Sequence, residues 1–151
     1  VIRRVWESRL SAKVEDVWDF HRSAEALRML TPPDRKIIEF GSDLEVRNGA
    51  LHVLHLSVFG ISIEWRARIS DVNPPNGFVD TAEKSPFTYW RHQHEFLPID
   101  SGTLLRDTVE YQPPFGPIGR LANALFIQQD LNRLFEFRHS ATRKALENFS
   151  A

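Results

Sequence analysis

The C-terminal run from Pro117 to Phe149 constrains most what this chain can fold into. After Gly119 it contains neither glycine nor proline. Leu, Ala, Arg, Gln, Glu and Phe fill it, mostly good helix formers. Pro117 suits a first helical turn, because its ring presets φ and its missing N–H would be unpaired there anyway. Almost everything before this run reads as strand. A long terminal helix after a series of antiparallel strands needs the sheet to curve around it, with a hollow between the two.

The apolar residues of this helix do not share one face. Ile118, Leu121, Ala122 and Leu125 keep one stripe at helical spacing. Ile127, Leu131, Leu134, Phe135, Ala141, Ala145, Leu146 and Phe149 keep another, roughly 160–200° away at about 100° per residue. One straight helix cannot bury both stripes against one sheet. Either the helix changes direction near Gln128-Gln129-Asp130, leaving a short mobile segment before a longer docked one, or its first turns are covered by a neighbouring loop or subunit.

Ile2–Leu10 reads as a strand, with Val5 and Trp6 favouring β structure. Ser11 offers an N-cap for a helix over Lys13–His21, where Val14, Val17, Trp18 and His21 keep the i, i+3, i+4, i+7 spacing. Ser23 offers a second cap for Ala24–Leu30, which Thr31-Pro32-Pro33 ends. Lys36–Phe40 is a short strand, and Asn48-Gly49 marks a turn. Leu51–Phe59 and Ile61–Val72 are long strands joined at Gly60. In the second, Ile61, Ile63, Trp65, Ala67 and Ile69 alternate with Ser62, Glu64, Arg66 and Arg68, which marks one buried face. The first is ambiguous, with Leu54, Leu56 and Val58 on one face and Leu51, Val53 and Phe59 on the other. Phe78–Glu83, Thr88–Leu97 and Thr103–Tyr111 complete the strands. The expected fold is α+β: two short helices after the first strand, then a curved antiparallel sheet of about six to seven strands around a long C-terminal helix.

Composition narrows the functional classes. The 151 residues are 42% hydrophobic and 26% charged, which suits one domain spanning 1–151 with a real core. A formal net charge of −1 provides no global field for nucleic acid. The chain has no cysteine, so disulfides and thiol nucleophiles are excluded and a cytoplasmic location is the expectation. No apolar run reaches the roughly 18 residues of a membrane span. No Gly-rich phosphate loop, GxSxG elbow or HExxH is present.

Several stretches resemble one known group: VEDVWDF at Val14–Phe20, LTPP at Leu30–Pro33, WRHQHEF at Trp90–Phe96, TLLRDTVEY at Thr103–Tyr111 and LNRLFEFRH at Leu131–His139. With the order of elements, they are similar to the START-like (SRPBCC) superfamily and its helix-grip fold. The likeness is greatest to the bacterial polyketide cyclase/dehydrase-like or ligand-binding SRPBCC branch. It covers essentially the whole chain. It implies an apolar cavity for a small hydrophobic molecule, and it supplies no universal catalytic residue.

The chemistry-bearing residues concentrate in one hairpin. On Thr88–Leu97, Trp90, His92, His94 and Phe96 share a face. On Thr103–Tyr111, Thr103, Leu105, Asp107, Val109 and Tyr111 share a face. The apolar members place both faces inward. A loop over Ile99-Asp100-Ser101-Gly102, ending on a glycine that accepts positive φ, sets His94 opposite Asp107 and His92 opposite Val109. An inward Asp costs several kcal/mol unless it is paired, and a histidine is the nearest partner. The His94–Asp107 pair then serves as a polar anchor or register lock, or as a general acid/base.

His92-X-His94 also has metal-ligand spacing, and with Asp107 it would give two histidines and a carboxylate. The spacing is common by chance, and the resemblance implies no metal there, so no metal or other cofactor is expected. His52 and His55 fall on opposite strand faces. His21 reads as a helix-end histidine, favourable as a cation near the helix C-terminus. Arg138 and His139 read as the solvated or semi-buried side of a helix. Arg66 with Arg68, and Arg3 with Arg4, read as solvated strand faces.

The resulting expectation is a carrier or sensor for a small hydrophobic ligand: a lipid, isoprenoid, quinone or aromatic polyketide. Its cavity wall would comprise Trp18, Trp65, Trp90, His92, His94, Phe96, Asp107, Val109, Tyr111, Leu131 and Phe135. The alternatives are a cyclase or dehydratase using His94 and Asp107, and a protein-interaction module or homodimer using the Leu51/Val53/Phe59 face. Nucleic acid is not an expected partner.

Overall fold

The computed structural model describes residues 1–41 and 43–147. The order is β1 (Ile2–Leu10), α1 (Val14–His21), α2 (Ala24–Met29), β2 (Arg35–Phe40), β3 (Leu51–Val58), β4 (Ile61–Asn73), β5 (Gly77–Lys84), β6 (Tyr89–Ile99), β7 (Gly102–Gln112), α3 (Gly116–Ala122) and α4 (Gln128–Glu147). A π-helical turn, Asn123–Ile127, joins α3 to α4. The seven strands form one antiparallel sheet in the order β1-β7-β6-β5-β4-β3-β2. This is the expected α+β helix-grip arrangement.

Tight turns account for most of the neighbours. β3 and β4 are joined by Phe59 and Gly60 alone, both at positive φ (50° and 78°), the backbone of a two-residue hairpin turn. β6 and β7 pair down to Ile99 and Gly102, which leaves a shorter turn, Asp100-Ser101, than the expected loop. Gly102 has φ 142°, and a Cβ there would lie 2.1 Å from the Leu10 carbonyl oxygen. Only glycine lets the hairpin end pass this close to β1.

Ser23 caps α2 as expected, its Oγ accepting from the Ala26 N–H at 3.1 Å. Ser11 does not cap α1. The cap position falls beyond it, at Lys13, and no side chain bonds there. Glu15 and Asp16 in the first turn suit the positive end of the helix instead.

The terminal helix resolves its two stripes in a third way. The departure from α geometry lies at Asn123–Ile127, directly before the expected Gln128–Asp130. The first stripe is largely exposed: Ile118 is 73% and Leu121 61% accessible. The inward side of these turns is carried by Gly119, which lies against the Pro114 carbonyl, and by Asn123, which accepts the Tyr111 hydroxyl at 2.6 Å. From Gly119 the stripe continues at four-residue steps through Asn123, Ile127, Leu131, Phe135 and His139. Phe149 lies outside the described residues. Among the described residues no helix is long and apolar enough to cross a membrane.

Two packed clusters cover one half of the sheet. α1 lies on β6 and β7, where Val17 and Trp18 meet Phe96 and Leu105. α4 lies on β1, where Phe135 stacks on Trp6 with ring centroids 4.2 Å apart, close to Trp90, Val109 and Tyr111.

Candidate functional site

The inner faces of β2 to β5 are not covered in this way. Between them, α2 and α4 lies a cavity of about 340 Å³. Ile37, Leu54, Leu56, Val58, Ile63 and Trp65 line its sheet side, and Leu27, Leu131 and Leu134 line its helix side. The ambiguous strand β3 therefore turns His52, Leu54, Leu56 and Val58 inward. At one end the wall becomes polar, with Asp80, His92, His94 and Arg138. A second polar point is the ion pair between Arg35 and Asp130, both of which also reach the cavity.

Five of the eleven residues expected in the wall line this cavity: Trp65, Trp90, His92, His94 and Leu131. Trp18 and Phe96 are instead core under α1, and Val109, Tyr111 and Phe135 are core under α4. Asp107 stands behind the wall, buried beneath the two histidines. β6 and α4 serve both halves: Trp90, His92, His94 and Leu131 border the cavity, while Phe96 and Phe135 on the same elements pack into the clusters under α1 and α4.

The hairpin register is as expected, with His94 opposite Asp107 and His92 opposite Val109. The hydrogen bonds do not follow it. Asp107 Oδ1 accepts from Nε2 of the diagonal His92 at 2.6 Å, while His94 Nδ1 stays 3.6 Å away. Asp107 Oδ2 accepts from His139 Nε2 at 2.6 Å. With that nitrogen donating, His139 Nδ1 accepts the Ser8 hydroxyl at 2.8 Å. His94 Nε2 bonds Asp80 Oδ2 at 2.6 Å. The expected His94–Asp107 pair is thus replaced by two pairs, His94–Asp80 in the wall and His139–Asp107 behind it, with His92 between them.

Asp80 and His139 are functional candidates that the sequence reading missed. The signals were present. Asp80 shares a strand face with Phe78 and pairs directly with His92. His139 lies four residues beyond Phe135, on the buried stripe of α4. Ser8, His139 and Asp107 form a serine–histidine–carboxylate chain, but Ser8 on β1 is not part of the cavity wall, so the chain serves to hold Asp107.

Electrostatics follow from burial and pairing. Burial pushes the Asp107 carboxyl up, yet hydrogen bonds from His139 and His92 outweigh it and hold the group well below the usual carboxylate range. Asp80 likewise stays below that range: burial opposes ionisation, and the charge of His92 and the hydrogen bond from His94 override it. His94 is lowered, because burial and the neighbouring His92 outweigh its bond to Asp80. Arg138 is lowered by burial, with the Asp107 and Asp80 charges opposing that shift. Its Nε–H has no acceptor within the protein. His21 is not the expected helix-end cation. Its Nδ1 donates to the Val17 carbonyl at 2.8 Å, and burial pushes its pKa down to about 4.

Comparison with known proteins agrees with this architecture. Residues 10–137 match the family described as polyketide cyclase/dehydrase and lipid transport. The sequence matches no curated protein. Among solved structures, the protein TTHA0849 from Thermus thermophilus is 17% identical, with 99% of this chain and 100% of that one covered and a TM-score of 0.74. The di-domain ARO/CYC StfQ from the steffimycin biosynthetic pathway is 12% identical, covering 99% of this chain and 52% of that one, with a TM-score of 0.80. A nucleoside-diphosphate sugar epimerase from Corynebacterium glutamicum is 23% identical over 97% of this chain and 30% of that one, with a TM-score of 0.69. At these identities the likeness is one of fold.

Proposed function

The chain belongs to the polyketide cyclase/dehydrase and lipid transport family, and from that premise we propose that it binds a small, mostly hydrophobic molecule carrying one polar oxygen group. The observation that carries this reading is the cavity: about 340 Å³, mostly apolar along β2–β4, with its polar groups gathered at the Asp80–His92–His94–Arg138 end and at the Arg35–Asp130 pair. Ligand sites are of this size and this composition, a greasy wall with a few convergent polar groups. The apolar body of the ligand would lie against Leu54, Leu56, Ile63 and Trp65. Its oxygen would meet the Arg138 guanidinium, whose Nε–H lacks an acceptor, and the His94–Asp80 pair. A lipid, an isoprenoid, a quinone or an aromatic polyketide satisfies this description.

Native mass spectrometry of the purified chain, followed by organic extraction, tests the reading. A small molecule retained in the folded protein and released on unfolding is expected. Candidate ligands should raise the melting temperature, because they bind only the native state, and should change the emission of Trp65 and Trp90. Leu56→Trp, which fills the cavity from its apolar side, should abolish both effects. Retention that survives this substitution would place the ligand elsewhere.

A second reading is catalytic, favoured by one feature. The His94–Asp80 pair sits in the wall with a 2.6 Å hydrogen bond, where it could relay a proton to or from a bound carbonyl. Turnover of a poly-β-keto substrate, lost in His94→Gln with ligand affinity kept, would move the protein from carrier to cyclase or dehydratase.

A further inference from the structure

The polar end of the cavity has a geometry that hydrophobic ligand binding does not require. Asp80, His92 and His94 each offer one donor atom, and these atoms all lie within 4.8 Å of one another. Asp80 Oδ2 is 2.6 Å from His94 Nε2 and 3.4 Å from His92 Nδ1. We infer that Asp80, His92 and His94 form a binding site for one divalent first-row transition-metal ion, of the zinc or iron(II) class, facing the cavity.

The positions of the ring protons make the lone pairs available. His92 Nε2 meets Asp107 Oδ1 at 2.6 Å, and an ionised carboxylate only accepts, so this nitrogen carries the proton. In the neutral ring Nδ1 then presents a lone pair. That lone pair faces Asp80 Oδ2, which is also an acceptor. Two acceptors 3.4 Å apart at the polar end of the cavity leave a gap that a bridging donor or a metal ion can join. His94 can present itself in the same way. Its Nε2 is the nitrogen that meets Asp80, and in the tautomer protonated at Nδ1, 3.6 Å from Asp107 Oδ1, that Nε2 offers a lone pair to a metal. Asp107 then stands behind His92 as the carboxylate that orients it, the usual outer partner of a metal-ligating histidine. His139 and Ser8 fix that carboxylate in turn.

The rings are held on both sides. Phe78 stacks on His94 with centroids 4.1 Å apart, and Phe135 meets His92 edge-on at 5.1 Å. Two imidazoles and one carboxylate suit zinc or iron(II) and do not suit magnesium or calcium, which prefer all-oxygen sites. Metal–ligand bonds of about 2.0–2.2 Å set adjacent donor atoms about 3.0–3.4 Å apart. The Asp80–His92 spacing already matches, and the Asp80–His94 contact must open by less than about 1 Å. The Asp80 and Asp107 carboxylates, both held in the ionised range, lie beside these rings and favour an incoming cation. Three protein donors leave coordination positions toward the cavity. That an oxygen of the bound molecule completes them rests on the ligand-binding reading; metal binding itself does not.

The test titrates the chelator-treated full chain with cobalt(II) and follows ligand-field absorption in the visible, then displaces it with zinc. One tight equivalent is expected, with a metal-dependent rise in melting temperature. His94→Ala and Asp80→Asn should weaken it at least tenfold, and Asp107→Asn by about tenfold through loss of the outer carboxylate. His55→Ala, on the opposite strand face, should leave it unchanged. Circular dichroism establishes that each variant is folded, and the wild-type titration decides the matter even if none is. No saturable cobalt or zinc binding by the wild type below millimolar concentration overturns the inference. Equal binding by folded His94→Ala and Asp80→Asn overturns it as well. Retention of an organic ligand by metal-free protein that also fails to bind cobalt would overturn the metal site and leave the ligand-binding reading standing.

Discussion

The two halves of the sheet are built from similar strands, yet only one is filled. Where β6 and β7 lie under α1 and α4, their inward side chains Phe96, Leu105, Val109 and Tyr111 are at most 1% exposed. On β3 and β4 the inward residues Leu54, Leu56, Val58 and Ile63 are aliphatic and only half-buried, because they face the cavity. The difference lies in the roof. α1 and α4 are amphipathic and lie directly on the first half. α2 has only six residues and covers the edge of the second. Stability is therefore concentrated in one half, and the other is free to accommodate a guest. This division can be broken by experiment.

The largest expected effect separates the halves directly. Phe135 is fully buried and stacked on Trp6. Phe135→Ala should cost about 3–5 kcal/mol, the transfer loss plus a new void. Leu56→Ala in the cavity wall should cost less than about 1.5 kcal/mol, because it enlarges a space that already exists. Urea unfolding of both variants gives the comparison. Equal losses would mean that the hollow half is as tightly packed as the filled one.

The polar groups divide in the same way. His139→Ala removes a donor from a buried, ionised carboxylate in the packed half. It should cost about 2–4 kcal/mol. His94→Ala opens the cavity end, where water can hydrate Asp80, and should cost about half as much or less. A larger loss at His94 than at His139 would reverse the assignment of wall and support.

Much of the packed half was legible in the sequence. Strict alternation on β6 and β7, with Gly102 at the turn, set the register correctly, because a period-two pattern allows no half-steps. It did not say which inward face would be roofed, so six residues assigned to the cavity wall lie in the packed half. The helix misled for a physical reason: its first inward positions are Gly119 and Asn123, small and polar, while Ile118, Leu121 and Phe126 face out. A pattern that equates apolar with buried inverts there. The site's partners were hidden differently. His139 reaches Asp107 from a residue 32 positions away, and Asp80 reaches His94 across 14. Such contacts depend on helix phase and sheet order together. The His94–Asp107 pairing expected from register alone failed because imidazoles bridge diagonals as easily as direct pairs.

The smallest effect concerns His21, which sits at the seam between the halves. It lines the cavity, and its ring lies 4.6 Å from that of the core residue Phe96. Its folded pKa of about 4 lies below the ordinary histidine value of 6.5. The unfolded chain therefore binds the extra proton first as pH falls. The stability contributed by a neutral His21 is fully present above about pH 6.5, declines as pH falls from 6.5 toward 4, and is gone below that. His94, also lowered, acts in the same direction, so the His21 share must be read by difference. Between about pH 7.5 and 5.5 the wild type should lose about 1 kcal/mol more than His21→Gln, allowing for the partial exposure of the ring. Parallel pH profiles for the two proteins would mean that His21 is hydrated through the cavity, and the seam would then belong to the hollow half.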